Sequence, residues 1–306
     1  MEFISTPNLH LYSLPNEVLI QILSPFTTRE LLHLATVSQR FHALVLRLLH
    51  YRLLFSASLT EYKLVLDCFH PASRLTEPHV FCKYLGTPGL SHNFEGEGSL
   101  YENVDTARQL ARLGSVYSIF KLSQTEEGYT TGVTPVAHSV RRYVTIEEFE
   151  NFSQLCVVMK VVKLRGLPGT TALLSAVDVE DGVVRLFRSW LKSQADRPQH
   201  SQHHDGDQDP AILWVDQNKN VGIKFRVREV TRPVSDFPVF DEESSSSYEI
   251  SIDELHIRTT RLILTVEQIR EQESNSPVSL IYLHGPFFTA QTCYYQEERV
   301  KRAIRK

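Results

Sequence analysis

Between positions 200 and 209, His200, His203, His204, Asp205, Asp207 and Asp209 gather three imidazoles and three carboxylates, ligand types that suit zinc or a similar cation. A resident metal also needs neighbours that orient its ligands, and "SQADRPQHSQHHDGDQDP" supplies almost nothing apolar to do so. The composition predicts a solvated loop, so no metal and no cofactor are assigned. A second set of candidate residues is Lys224, Arg226 and Arg228, which alternate with Val221, Ile223, Phe225 and Val227. On a strand, this spacing sends the three cations to one side, a candidate partner-binding face for an acidic partner or phosphorylated peptide. "DEESSSSY" is a candidate phosphorylation segment in an acidic setting. "FEGEGS" has the glycines of a phosphate loop without its Lys-Ser/Thr, and its two glutamates would repel a phosphate. No GxSxG elbow, HExxH, DFG-like element or paired Cys-His signature occurs, so the expectation is a protein that is not an enzyme.

The elements that must carry these residues are bounded by composition. A chain of 306 residues with 42% hydrophobic residues can build one large or two ordinary domains. Its formal charge of −4 provides no overall field for nucleic acid or an anionic membrane, and neither is expected as a partner. Cys68, Cys82, Cys156 and Cys293 are widely spaced, and "MEFISTPNLH" lacks the basic and apolar regions of a signal peptide. Reduced thiols in the cytoplasm or nucleus are expected. The most apolar run, "LCVVMKVVKL", is broken by Lys160 and Lys163 and is too short to span a membrane.

The first sixty residues read as three short helices. Pro15 suits a first helical turn, because its missing N–H is not needed there, and a helix to about Leu23 follows. Thr27 and Glu30 have the spacing of a capping box opening a second helix near Thr28. Val37, Phe41, Leu44, Val45 and Leu48 then recur at helical spacing in a third helix reaching about Phe55. From Leu14 to Phe55 only Glu17, Arg29, Glu30, Arg40, Arg47 and Arg52 are charged. So small a unit cannot enclose that much apolar surface, and side chains such as Leu14, Val18, Ile22, Leu31 and Val37 are expected to face a helical partner.

"LPNEVLIQIL…TTRELLHLATVSQRFHALV" resembles an F-box. The family pattern of Leu-Pro-x-Glu-hydrophobic, a spaced hydrophobic pair, a Leu-rich helix and a Val-Ser-x-x-aromatic step falls on Leu14, Pro15, Glu17, Val18, Leu19, Ile22, Leu23, Leu31, Leu32, Leu34, Val37, Ser38, Arg40, Phe41 and Leu44. Phe41 stands where many members carry Trp. The resemblance implies a three-helix unit that docks on an Skp-family adaptor and, through it, a cullin. Leu14, Pro15, Glu17, Val18, Ile22, Leu23, Leu31, Leu32, Val37 and Phe41 are the implied adaptor-binding residues. It also implies an SCF-type ubiquitin-ligase subunit that recruits an unknown protein substrate. The continuation through "RLLFSASLTEYKLVLDCFHP" and "EGEGSLYENV" is similar to that of fungal F-box proteins.

The rest predicts an α+β chain: an F-box at 9–58, a connector of short helices and loops at 59–145, a β-rich domain at 146–296 and a basic tail at 297–306. "TEYKLVLDCF" reads as a helical continuation, and "YENVDTARQLARLG" as another helical turn or two. "TALLSAVDVEDGVVRLF" reads as two strands about an Asp181-Gly182 turn, and "ILWVDQNKNVGIKFRV" as a hairpin around Gln217 to Asn220. "YEISI", "LHIRTTRLILTV" and "VSLIYLHG" add strands with no long helix between them, which predicts an antiparallel β-sandwich-like domain. In architecture this resembles the sugar-binding jelly rolls of some F-box proteins and of phloem-lectin-like plant proteins. A glycan is therefore an alternative partner, with no binding residue implied.

Overall fold

The computed structural model describes residues 11–73, 79–123, 140–167, 170–196, 212–230, 246–275 and 281–282. Helices α1 (Asn16–Leu23), α2 (Thr28–Leu34) and α3 (Gln39–Ser58) come first, close to their expected bounds. The strands β1 (Lys63–Phe69), β2 (Val80–Gly86), β3 (Tyr117–Ser123), β4 (Val140–Ile146), β5 (Phe152–Leu167), β6 (Thr170–Phe187), β7 (Ile212–Trp214), β8 (Val221–Val230), β9 (Ser246–Arg258) and β10 (Ile281–Tyr282) follow. Between them lie α4 (Thr106–Leu113), α5 (Arg188–Ala195) and α6 (Thr259–Asn275). The fold is α+β, and every strand pairing is antiparallel, as expected. The two halves of the sandwich-like domain belong to one continuous sheet, β10-β6-β5-β1-β2-β3-β9-β8-β7, with β4 also on β9. It curls nearly into a barrel around one core, where Leu66, Val157 and Val179 from one half meet Ile146, Ile223 and Ile250 from the other.

Three local readings are corrected. "TEYKLVLDCF" does not prolong the helix: α3 stops at Ser58, and Leu59 takes a left-handed conformation at φ 50°. No glycine announces that stop. Burial of the Leu59 side chain in the sheet core offsets the conformational cost, and β1 then lies between β5 and β2. The stretch set apart as a connector thus supplies β1, β2 and β3, central strands of the sheet, while "VDTARQLARL" does contain the expected helix, α4.

Asp181-Gly182 is not a turn, because β6 runs straight through it, with Gly182 opposite Val157. A Cβ on Gly182 would sit 2.6 Å from Val215 Cγ1, so the glycine there admits a neighbouring segment instead of reversing the chain. The hairpin around Gln217 to Asn220 does form. Asp216 holds it by accepting from the backbone N–H groups of Asn218 and Asn220.

"LHIRTTRLILTV" is half strand and half helix. After Arg258 the chain enters α6, whose Leu262, Val266 and Ile269 join the sheet core while Ile263 joins the core of the N-terminal helices. These apolar residues recur at 3.6-residue spacing, a pattern hidden by their β-branched types. The His200–Asp209 cluster, residues 241–245 of the "DEESSSSY" segment and the basic tail lie outside the described residues, while Ser246 and Ser247 open β9.

Candidate adaptor-docking site

The N-terminal helices are built by local chemistry that the sequence spells out. Thr27 accepts from the Glu30 backbone N–H, and the Glu30 carboxylate accepts from the Thr27 N–H at 2.7 Å, closing the capping box. The hydrogen bonds that this carboxylate accepts from the Thr27 backbone N–H and hydroxyl hold the Glu30 carboxyl below its ordinary pKa. Ser38 caps α3 by accepting from the Phe41 N–H. Pro15 precedes α1 and leaves the carbonyls before it without helical partners. Arg40 satisfies these, donating from its guanidinium to the carbonyls of Tyr12 and Leu14 and to Asn16 Oδ1. Arg40 is therefore a clamp on the Leu14-Pro15 step.

The expected docking residues divide into two sets. Leu23, Leu31 and Phe41 are buried with Leu19, Leu44, Val45 and Leu53 in the core of the unit, and Leu14 is half-buried against it. Leu31, expected to face outward, is fully enclosed: it lies on the side of α2 turned toward α3. Pro15, Glu17, Val18, Ile22, Leu32 and Val37 are exposed. Among them Val18 (37%), Ile22 (44%), Leu32 (45%) and Val37 (58%) leave apolar surface in water, and Val18 and Ile22 share one stripe of α1 at four-residue spacing. This apolar row is the candidate docking surface.

Part of the cover for the unit comes from its own chain. Ile263 of α6 together with Leu100, Tyr101, Leu113 and Val116 completes the helical core. Glu267 reaches from α6 to Arg52 of α3 at 2.8 Å and accepts from the backbone N–H and hydroxyl of Thr28 at the start of α2. A carboxylate at that helix terminus meets the unpaired N–H groups and the positive end of the dipole. Glu267 was not among the residues expected to matter. Its signal was the helical period running through α6, which the strand reading concealed.

His50, inside α3, is fully buried and touches the loop before α4. Its Nε2 lies 2.9 Å from the Ser91 carbonyl, which can only accept, so Nε2 carries the proton and Nδ1 accepts from the Tyr101 hydroxyl at 3.0 Å. Burial holds the imidazole pKa below its ordinary value.

In the sheet, Lys224 and Arg226 stand in ion pairs, with Glu254 at 3.8 Å and with both oxygens of Asp253 at 3.0 Å, while Arg228 faces Glu249 across the ladder. Among the described residues no group of three or more His, Cys, Asp or Glu is placed to hold a metal, and Cys68, Cys82 and Cys156 are not in disulfides.

Exposed apolar side chains on these N-terminal helices, braced against a β domain, form a candidate protein-docking surface. Residues 11–56 match the family model described as F-box-like, so the chain carries an F-box-like domain at its N-terminal end. No curated protein and no solved structure matches the chain.

Proposed function

We propose that the chain is a substrate-recognition adaptor of an SCF-type (Skp-cullin-F-box) ubiquitin ligase, working in the cytoplasm or nucleus. The observation that carries this reading is the exposed row of Pro15, Val18, Ile22, Leu32 and Val37, which falls inside the F-box-like match. F-box domains generally bind Skp-family adaptors, and through that partner the chain would join a cullin. The sheet domain then holds a target protein near the ubiquitin-carrying enzyme. No chemistry is done by this chain in that reading; it contributes proximity.

The test is co-purification of the Val18→Glu, Ile22→Glu double variant with an Skp-family adaptor and cullin. Each well-buried anchor is worth about 2 kcal/mol, so the pair should reduce adaptor capture by more than about thirtyfold. Both side chains face water in the free chain, so thermal melting should stay close to that of the unaltered protein. Undiminished capture by a folded double variant would refute the assignment.

A further inference from the structure

The outward side of the sheet carries cations that neither the docking row nor the core uses. Across one rung Lys83 faces Lys121, Lys121 faces Glu254, and Glu254 faces Lys224. Lys63 extends this row on β1, exposed beside buried Leu64, which itself faces Cys82. Further along β9, Arg141 and Arg226 flank Ser251, and Tyr143 and Arg228 flank Glu249. Ile250 and Ile252 point into the core, so the alternating Ser251 and Glu249, with their neighbours on β4 and β8, point outward.

This face has the opposite sign to the molecule. The described cations on it include Lys63, Lys83, Lys121, Lys224, Arg226, Arg228 and Arg141; they outnumber the carboxylates Asp67, Glu249, Asp253 and Glu254, whereas the whole chain has a formal charge of −4. Lys83 directly opposite Lys121 places like charges across a ladder, an arrangement that costs stability. The ion pairs of Arg226 and Arg141 are open to water, with those side chains 63% and 58% exposed.

Resting on the adaptor reading, we infer that this face binds an acidic polypeptide segment of the recruited protein, rich in aspartate or glutamate. An extended peptide repeats the side chains on one side roughly every 6.8 Å, which is also the separation of the Arg141–Arg226 rung from the Tyr143–Arg228 rung. A nucleic-acid backbone fits less well. Tyr143 is the one exposed aromatic ring on these two rungs, whereas single-strand binders stack successive bases.

The test uses the full-length chain and a fluorescein-labelled peptide of alternating Glu and Ser, followed by anisotropy at low and high salt. A single-stranded oligonucleotide and phosphatidylserine vesicles serve as competing probes. The expected result is saturable peptide binding that weakens with salt, and a loss of about tenfold or more in the Lys121→Glu, Arg228→Glu variant. The Lys121→Gln, Arg228→Gln variant should lose less and melt like the unaltered protein, because both side chains are exposed; the charge-reversed variant sets like charges opposite Glu254 and Glu249 and should melt somewhat lower while staying folded by circular dichroism. No saturable peptide binding, equal binding by the charge-reversed variant, or tighter binding of the oligonucleotide or the vesicles would each overturn the inference. Adaptor capture by the same preparation separates the two claims. Capture without peptide binding refutes this face and leaves the adaptor reading standing; peptide binding without capture does the reverse.

Discussion

The helical unit and the sheet domain treat their outward residues in opposite ways. On α1, α2 and the turn before α3, the outward positions include Val18, Ile22, Leu32 and Val37, all apolar. On β3, β4, β8 and β9, the outward positions include Lys121, Arg141, Arg228 and Glu249, all charged, while the alternating inward ones are buried aliphatics and aromatics. The difference would suit two kinds of partner. An apolar row gains by being covered permanently, since burial removes surface from water whatever the salt concentration. A charged face in high dielectric gives weaker, salt-dependent contact suited to a partner that comes and goes.

The sharpest way to probe this contrast is inside the helical unit itself. Leu31 and Leu32 are neighbours on α2, one fully buried and the other 45% exposed. Leu31→Ala should destabilise the protein by about 3 kcal/mol, since it leaves a cavity in the core. Leu32→Ala should change stability by less than about 0.5 kcal/mol and weaken adaptor capture instead. Chemical denaturation of both variants decides it, and equal losses would mean that the row belongs to the core.

The next expected effect lies at the junction of the two regions. Glu267→Ala leaves Arg52 and the Thr28 N–H at the start of α2 without their carboxylate, which should cost about 2 kcal/mol. Glu267→Gln should recover part of that loss, because it keeps an acceptor while losing the charge. If α6 truly braces both cores, hydrogen exchange in α2 and α3 should accelerate in the alanine variant while β8 and β9 stay protected. Unchanged exchange in the helices would show the brace to be decorative.

The smallest effect is a pH dependence. The folded-state pKa of His50 lies below its unfolded value, so the unfolded chain takes up a proton first as pH falls. The stabilising contribution of the neutral imidazole is complete above the unfolded pKa, about 6.5, and is lost progressively as pH drops from there toward the lower folded value. His50→Gln should therefore be less stable at neutral pH, by about 1 kcal/mol, and should show a flatter decline between neutral and mildly acidic conditions. A parallel decline in both proteins would mean that other groups govern the acid limb.

Much of the helical unit was legible before any fold was known, because its signals are local. Pro15, the Thr27–Glu30 box and Ser38 each act within four residues, and the helices begin where those residues place them. The alternation in β8 was legible for the same reason: the period of two is written in adjacent residues. What failed were segments whose state depends on distant partners. Nothing in "TEYKLVLDCF" says that β5 and β2 will flank it, and nothing in "DVEDGVV" says that Val215 will press against Gly182.

By itself, then, the sequence determined where the short helices begin and that the strands after about Phe152 would pair antiparallel. Only tertiary structure decided which apolar residues stay outside. Leu31 and Leu32 are chemically identical, and the packing of α2 against the core it shares with α3 directs one inward and leaves the other in water. Tertiary structure likewise decided the fate of α6, whose β-branched residues fit a strand equally well in isolation. Two cores meet after β9, and the helical period of α6 buries Leu262, Val266 and Ile269 toward one and Ile263 toward the other.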